Sequence, residues 1–157
     1  MGDTLAMSER LDGLATESGR RLAAEGLTLA TAESCTGGWV AKVVTDIAGS
    51  SAWFDRGFVT YSDVAKQEML GVSPAALESH GAVSEAVVRE MALGALAHSR
   101  AQVSLAISGV AGPDGGSEDR PVGTVWFAWA LAGSTGEGMD ATAQPRVWTQ
   151  LLRFAGN

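Results

Sequence analysis

Apolar positions along this chain switch between helical and strand spacing, with glycine or a hydroxyl residue marking most of the changes. From Leu5 to about Glu25, Leu11, Leu14, Ala15 and Leu22 follow helical spacing, and Gly26 is placed to stop that helix. Leu27 to Ala32 is short and apolar with threonine interleaved, which predicts a buried strand. The turn Glu33-Ser34-Cys35-Thr36-Gly37-Gly38 then opens a second helical run with Val40, Val43, Val44 and Ile47 on its apolar side. Phe54 to Tyr61 is rich in aromatic and β-branched residues and predicts a second strand. Ser62-Asp63, Ser73-Pro74 and Ser84 each carry the signature of a helix start, with Gly81 ending the middle helix just after His80. The helix from Ser84 is the strongest of the chain, and Val87, Val88, Met91, Leu93, Ala95 and Leu96 form its apolar part.

Gln102 to Ser108 and Val122 to Leu131 predict two further strands. The run GVAGPDGGSEDRPVG that links them, Gly109 to Gly123, holds five of the chain's twenty glycines, so the loop is neither helix nor ladder. Ser134 to Gly138 predicts a turn, Met139 to Pro145 has no clear period, and Val147, Leu151 and Phe154 are spaced for a short helix over Arg146 to Phe154. Helices alternating with strands predict an α/β layer fold around a largely buried sheet. The 157 residues suit one domain, 1–157, with an atypical tail from about residue 134.

Composition narrows the function. A net charge of −7 opposes a nucleic-acid or acidic-membrane surface, which needs clustered cations. An anionic ligand must therefore be held locally, by backbone N–H groups and one or two cations, which favours a small molecule over a polymer. One cysteine forms no internal disulfide, and the opening segment carries acids where a leader would carry a basic stretch and an apolar run. No stretch approaches the roughly 20 apolar residues of a membrane span, so the cytoplasm is the expected compartment.

The candidate chemistry centres on Gly49 to Lys66, GSSAWFDRGFVTYSDVAK. A serine hydroxyl is a weak nucleophile until a base takes its proton. The chain offers only two lysines, two histidines and one cysteine. Lys66 falls near the first turn of a helix, where the dipole and burial both lower an ammonium pKa, so it is the preferred base. His80 and His98 fall at helix ends, where a ring meets loose carbonyls. Cys35 reads as a small buried residue. The Ser34 to Gly38 turn is either an anion pocket at a helix start or simply that helix's cap. Tyr61 and Lys66, taken alone, could equally be a strand-end side chain and a solvated charge. They are five residues apart rather than four, and the first strand lacks a dinucleotide-type glycine fingerprint, which argues against a short-chain dehydrogenase.

TAESCTGGWVAKVVTDIAGSSAWFDRGFVTYSDVAK (Thr31 to Lys66), HGAVSE (His80 to Glu85) and SGVAGPDGGSEDRPVGTVWFA (Ser108 to Ala128) together resemble the C-terminal domain family of the competence and damage-inducible protein CinA. The resemblance implies a three-layer α/β/α fold with a mixed, mostly parallel sheet. It implies hydrolysis of the carboxamide of nicotinamide mononucleotide to nicotinate mononucleotide and ammonia, with no metal or other cofactor and commonly in a homodimer. On the matching motifs it implies Ser51 as nucleophile, Lys66 as general base and Tyr61 as their partner. It also implies a nucleotide pocket lined by Ser34, Thr36, Gly37, Ser108, Gly109 and Gly112. Backbone N–H groups near Ser50 and Ser51 would receive the oxyanion. Family members continue past the last strand with a GDR-like turn and a long helix whose early arginine meets the substrate phosphate. Here Arg146 alone lies near that place, which leaves a pyridine-nucleotide-binding module with weak or no turnover as the alternative.

Overall fold

The fold is described from a computed structural model, over residues 2–133 and 143–155. The expectations for the turn at 134–138 and for 139–142 lie outside those residues. Eleven elements are described in chain order: α1 (Gly2–Ala24), β1 (Leu29–Glu33), α2 (Trp39–Thr45), a 3-10 turn (Ser50–Ala52), β2 (Phe54–Val59), α3 (Asp63–Leu70), α4 (Pro74–His80), α5 (Glu85–Ala97), β3 (Val103–Gly109), β4 (Thr124–Leu131) and β5 (Arg146–Arg153). The serines at 62, 73 and 84 are N-caps as the sequence predicts, each accepting a hydrogen bond from the backbone N–H three residues on. Each such cap is worth about 1 kcal/mol.

One sheet carries all five strands in the order β2-β1-β3-β4-β5. β2, β1 and β3 are parallel, and β4 and β5 run antiparallel to their neighbours. Parallel strands need crossover connections, and right-handed crossovers running in opposite directions across a sheet cover opposite faces. The connection from β1 to β2 accordingly places α2 on one face, where Val44 and Val40 pack with Leu22 of α1, Leu29, Trp53 and Leu105. The connection from β2 to β3 places α3, α4 and α5 on the other face, and three layers result.

The main core lies under α5. Val87, Val88 and Met91 are fully buried there against Ala30, Ala32, Ala106, Ala128 and Ala130 of the sheet. Small residues on the strands let the helix sit close, and each large α5 side chain contributes about 1.5–3 kcal/mol by leaving water. The strand hydroxyls on this face are satisfied internally: Ser104 Oγ donates to Ala92 O at 2.7 Å and Ser108 Oγ to Ala82 O at 2.8 Å.

Residues 146–153 form a strand, which overturns the expected C-terminal helix. Val147, Leu151 and Phe154 fit helical spacing, but the open edge of β4 offers a full ladder from Leu131↔Arg146 to Thr124↔Arg153, and a nine-residue helix gains little alone. In the strand, Val147 packs on the α5 core and Thr149 Oγ1 donates to Glu85 at 2.7 Å. On the opposite face Phe127 stacks on Trp129, and Trp148, Leu152 and Phe154 are exposed.

Candidate active site

β1 is the point at which the chain turns from one side of the sheet to the other, with β2 on its one flank and β3 on its other. In open α/β sheets the crevice for a small ligand forms at such a switch, outside the carboxyl ends of the parallel strands. Three segments leave the strands there: the Ser34 to Gly38 turn after β1, Thr60 to Ser62 after β2, and the loop from Val110 after β3.

The Ser34 to Gly38 turn is held from below. Glu33, the last residue of β1, is 1% exposed. Its carboxylate accepts the Val40 N–H at 2.8 Å and the Ala41 N–H at 3.0 Å, in the first turn of α2. This places a carboxylate against the positive end of a helix, with the helix's free N–H groups as its partners. Gly37 and Gly38 have φ of 59° and 96°, values that side-chain-bearing residues rarely adopt, and they let the chain reverse between Glu33 and α2. The cap of α2 therefore comes from Glu33, not from Ser34 or Thr36. Gly38 sits at the N-cap position with no side-chain hydrogen bond.

The turn delivers Ser34 to Lys66. Lys66 is the fourth residue of α3 and only 1% exposed. Its Nζ hydrogen-bonds Ser34 Oγ at 3.1 Å and donates to the backbone carbonyls of Thr60 at 2.9 Å and Tyr61 at 3.2 Å. No carboxylate is among these partners. Burial holds the Lys66 amine below its ordinary value, outweighing the nearby charge of Asp63. The two carbonyls and the Ser34 hydroxyl all accept from the amine, so no charged partner holds its proton.

A cavity of about 310 Å³ opens beside this pair, lined by Ser34, Lys66, Tyr61, Ser108 and Asp114 among others. Its lining includes Cys35, Val110, Ala111 and Gly112, which also line a second cavity of about 610 Å³ reaching Thr36 and Phe154. Burial pushes the Cys35 thiol up, so it is held as the neutral thiol. Gly109 is needed for packing, because a Cβ there would come within 2.8 Å of Val125 Cγ2 and 2.9 Å of the Thr124 carbonyl.

Of the residues predicted for the site, Ser34, Tyr61, Lys66, Ser108, Gly109 and Gly112 line the first cavity, and Thr36 lines the second. Gly37 shapes the turn between them. Tyr61 is 75% exposed, and the group it presents to Lys66 is its backbone carbonyl.

Three of the predicted residues lie away from Lys66 and its cavity. Ser51 lies in the 3-10 turn before β2, whereas Lys66 follows β2, so the strand of roughly 20 Å separates them. The Ser50 N–H is already bonded to Ile47 O at 3.1 Å, and Ser50 shares the wrong end of the sheet with Ser51. Arg146 pairs with Leu131 at that same end, and its guanidinium lies over the Trp148 ring at 5.7 Å. The sequence places Ser51 fifteen residues from Lys66 and Ser34 thirty-two, but a parallel strand carries the nearer serine away and the β1–β2 register returns the farther one.

Glu33, Cys35 and Asp114 were not among the predicted site residues. The acid ending an apolar strand before a Ser-Cys-Thr-Gly-Gly turn was a readable signal for Glu33; nothing local marks Asp114. Among the described residues no group of three or more His, Cys, Asp or Glu side chains could hold a metal ion, and no helix is long and apolar enough to cross a membrane. His98 has its predicted helix-end role, its Nδ1 lying 2.9 Å from Gly94 O.

A mixed α/β sheet with a buried lysine, a serine turn and a cavity at its switch point defines a small-molecule site of the open-sheet class. The chain belongs to the CinA C-terminal domain family, whose model matches residues 11–146. It is 65% identical over 126 residues to the nicotinamide-nucleotide amidohydrolase PncC of Escherichia coli K12, covering 80% of this chain and 75% of that protein. It is 60% identical over 152 residues to the PncC of Enterobacter agglomerans, covering 96% of this chain and 86% of that protein. Its fold matches the crystal structure of the competence damage-inducible protein A of Klebsiella pneumoniae with a TM-score of 0.83 and 43% identity, over 94% of this chain and 84% of that one.

Proposed function

We propose that this chain hydrolyses the carboxamide of nicotinamide mononucleotide to nicotinate mononucleotide and ammonia, with Ser34 as nucleophile and Lys66 as general base. The observation that carries the assignment of residues is the 3.1 Å contact between Lys66 Nζ and Ser34 Oγ in a buried site beside a cavity. The substrate comes from the relatives, whose names state nicotinamide-nucleotide amidohydrolase activity.

Neutral Lys66 takes the Ser34 proton as Oγ attacks the amide carbon. The N–H groups of Cys35 and Thr36, which meet no backbone acceptor among the described residues, receive the oxyanion. The lysine ammonium then protonates the departing nitrogen, ammonia leaves, and an ester on Ser34 remains. Water attacks that ester with Lys66 again as base, releasing the carboxylate and regenerating the hydroxyl. Tyr61 fixes the amine through its carbonyl, and its ring forms part of the cavity lining. In this reading the enzyme works without a metal and as a homodimer, as the resemblance implies, in the cytoplasm that the composition favours.

The test is ammonia release from nicotinamide mononucleotide by the purified chain beside its Lys66→Ala form. Release by the first and not the second supports the proposal. Tight binding with no release by the folded wild type would leave a nucleotide-binding module instead.

A further inference from the structure

The cavity beside Lys66 carries one carboxylate, that of Asp114, on the loop between β3 and β4. None of the ion pairs among the described residues involves Asp114. Lys66 does not pair with it: the contacts of its Nζ are Ser34 Oγ and the carbonyls of Thr60 and Tyr61. Apart from Lys66, the other lining residues are serines, a tyrosine, the half-buried Cys35 and small apolar groups. Asp114 is therefore the one carboxylate in the lining, with no ion-pair partner among the described residues.

That charge suits one part of the proposed substrate. The ring of a nicotinamide nucleotide is an N-glycosylated pyridinium, a permanent cation next to the carboxamide that reacts. We infer that Asp114 is a specificity-determining residue that selects the oxidised, cationic pyridinium ring over its neutral dihydropyridine form. The proposal rests on the amidohydrolase reading for its substrate. It also accounts for product release, since hydrolysis places a carboxylate on the ring, cancels the ring charge and adds a repulsion against Asp114. Opposite charges a few ångströms apart at the mouth of a cavity are screened but not silenced by solvent.

Steady-state kinetics on the full chain test this, with nicotinamide mononucleotide as substrate and its reduced form as competing ligand. Asp114→Asn is expected to raise KM for the oxidised nucleotide about tenfold, the loss of one partly screened charge contact, with kcat within about twofold. The inhibition constant of the reduced nucleotide should move less than twofold. Asp114→Glu should restore most of the affinity, and added salt should raise KM for wild type more than for Asp114→Asn. An unchanged KM overturns the proposal, and so does a parallel rise in KM and in the inhibition constant, which would mark a loop distorted for both ligands. If wild type releases no ammonia, the amidohydrolase reading falls by itself. Equilibrium titration of the same two nucleotides into wild type and Asp114→Asn then decides the charge selection separately, an affinity ratio that collapses in the variant supporting it and an unchanged ratio refuting it.

Discussion

Lys66 Nζ and Ser34 Oγ lie 3.1 Å apart although 32 residues separate them in the chain. Parallel pairing of β1 with β2 produces the meeting, because both strands release their chains at the same end of the sheet. The pair makes distinct demands on its two members. In the proposed reaction the hydroxyl must be free to lose a proton, and the amine must be free to take one.

The two serines separate cleanly. Ser34→Ala should lower kcat for ammonia release by at least about a thousandfold, the order expected on losing a nucleophile held by its base. Ser51→Ala, on an exposed turn at the other end of the sheet, should stay within twofold of wild type. Full activity in Ser34→Ala would end its assignment.

The lysine sets a pH dependence. Because burial depresses the Lys66 pKa, kcat/KM should rise with pH with a midpoint below pH 10.4, where an ordinary lysine titrates. A midpoint at or above about 10.4 would mean a solvated ammonium.

Stability carries the same signature with a sign that can be worked out. Between the folded and unfolded pKa values the unfolded chain binds the extra proton, so raising pH across that window stabilises the native state. Lys66→Met removes this dependence. Wild type should therefore gain on Lys66→Met as pH rises toward about 10.4, by at most about 1.4 kcal/mol per pH unit. Urea denaturation at several pH values measures the slope, and a difference independent of pH would contradict a depressed lysine.

Glu33 links stability to the site. Glu33→Gln removes a charge from the start of α2 and turns an N–H₂ group toward backbone donors, leaving one of the Val40 and Ala41 N–H groups without an acceptor. A loss of about 1–3 kcal/mol in denaturant unfolding is expected. Because Ser34 is the next residue, kcat should fall more than KM changes.

Gly94 tests the packing of α5 on α3. A Cβ there would fall inside van der Waals contact of the Leu70 carbonyl. Alanine ordinarily stabilises a helix by about 1 kcal/mol over glycine, but overpacking against a rigid backbone costs more, so Gly94→Ala should be destabilising by about 1–3 kcal/mol. A raised Tm would show that α3 moves aside without cost.

Much of the scaffold was legible along the chain because its causes are local. The serines at 62, 73 and 84 cap helices through side chains that reach only three residues. The period of Val87, Val88 and Met91 likewise reports the face that α5 buries. Lys66 could be singled out as a candidate because its scarcity and its place near a helix start are both written in the sequence, and the structure places it buried beside the cavity. The fate of Arg146 to Phe154 was not, because an open β4 edge outbids a weak helical spacing and that edge exists only once the sheet has formed.

The partner of Lys66 was undetermined for the same reason. Position along the chain favoured Ser51, but which of two hydroxyl turns reaches a lysine depends on strand direction and register, and parallel order sends Ser51 to the amino ends of the strands and Ser34 to the carboxyl ends. Sequence by itself determined the elements, their caps and the small set of side chains able to do chemistry. Tertiary structure alone decided which of them meet, because hydrogen-bonding partners across a sheet are chosen by long-range pairing that no local pattern encodes.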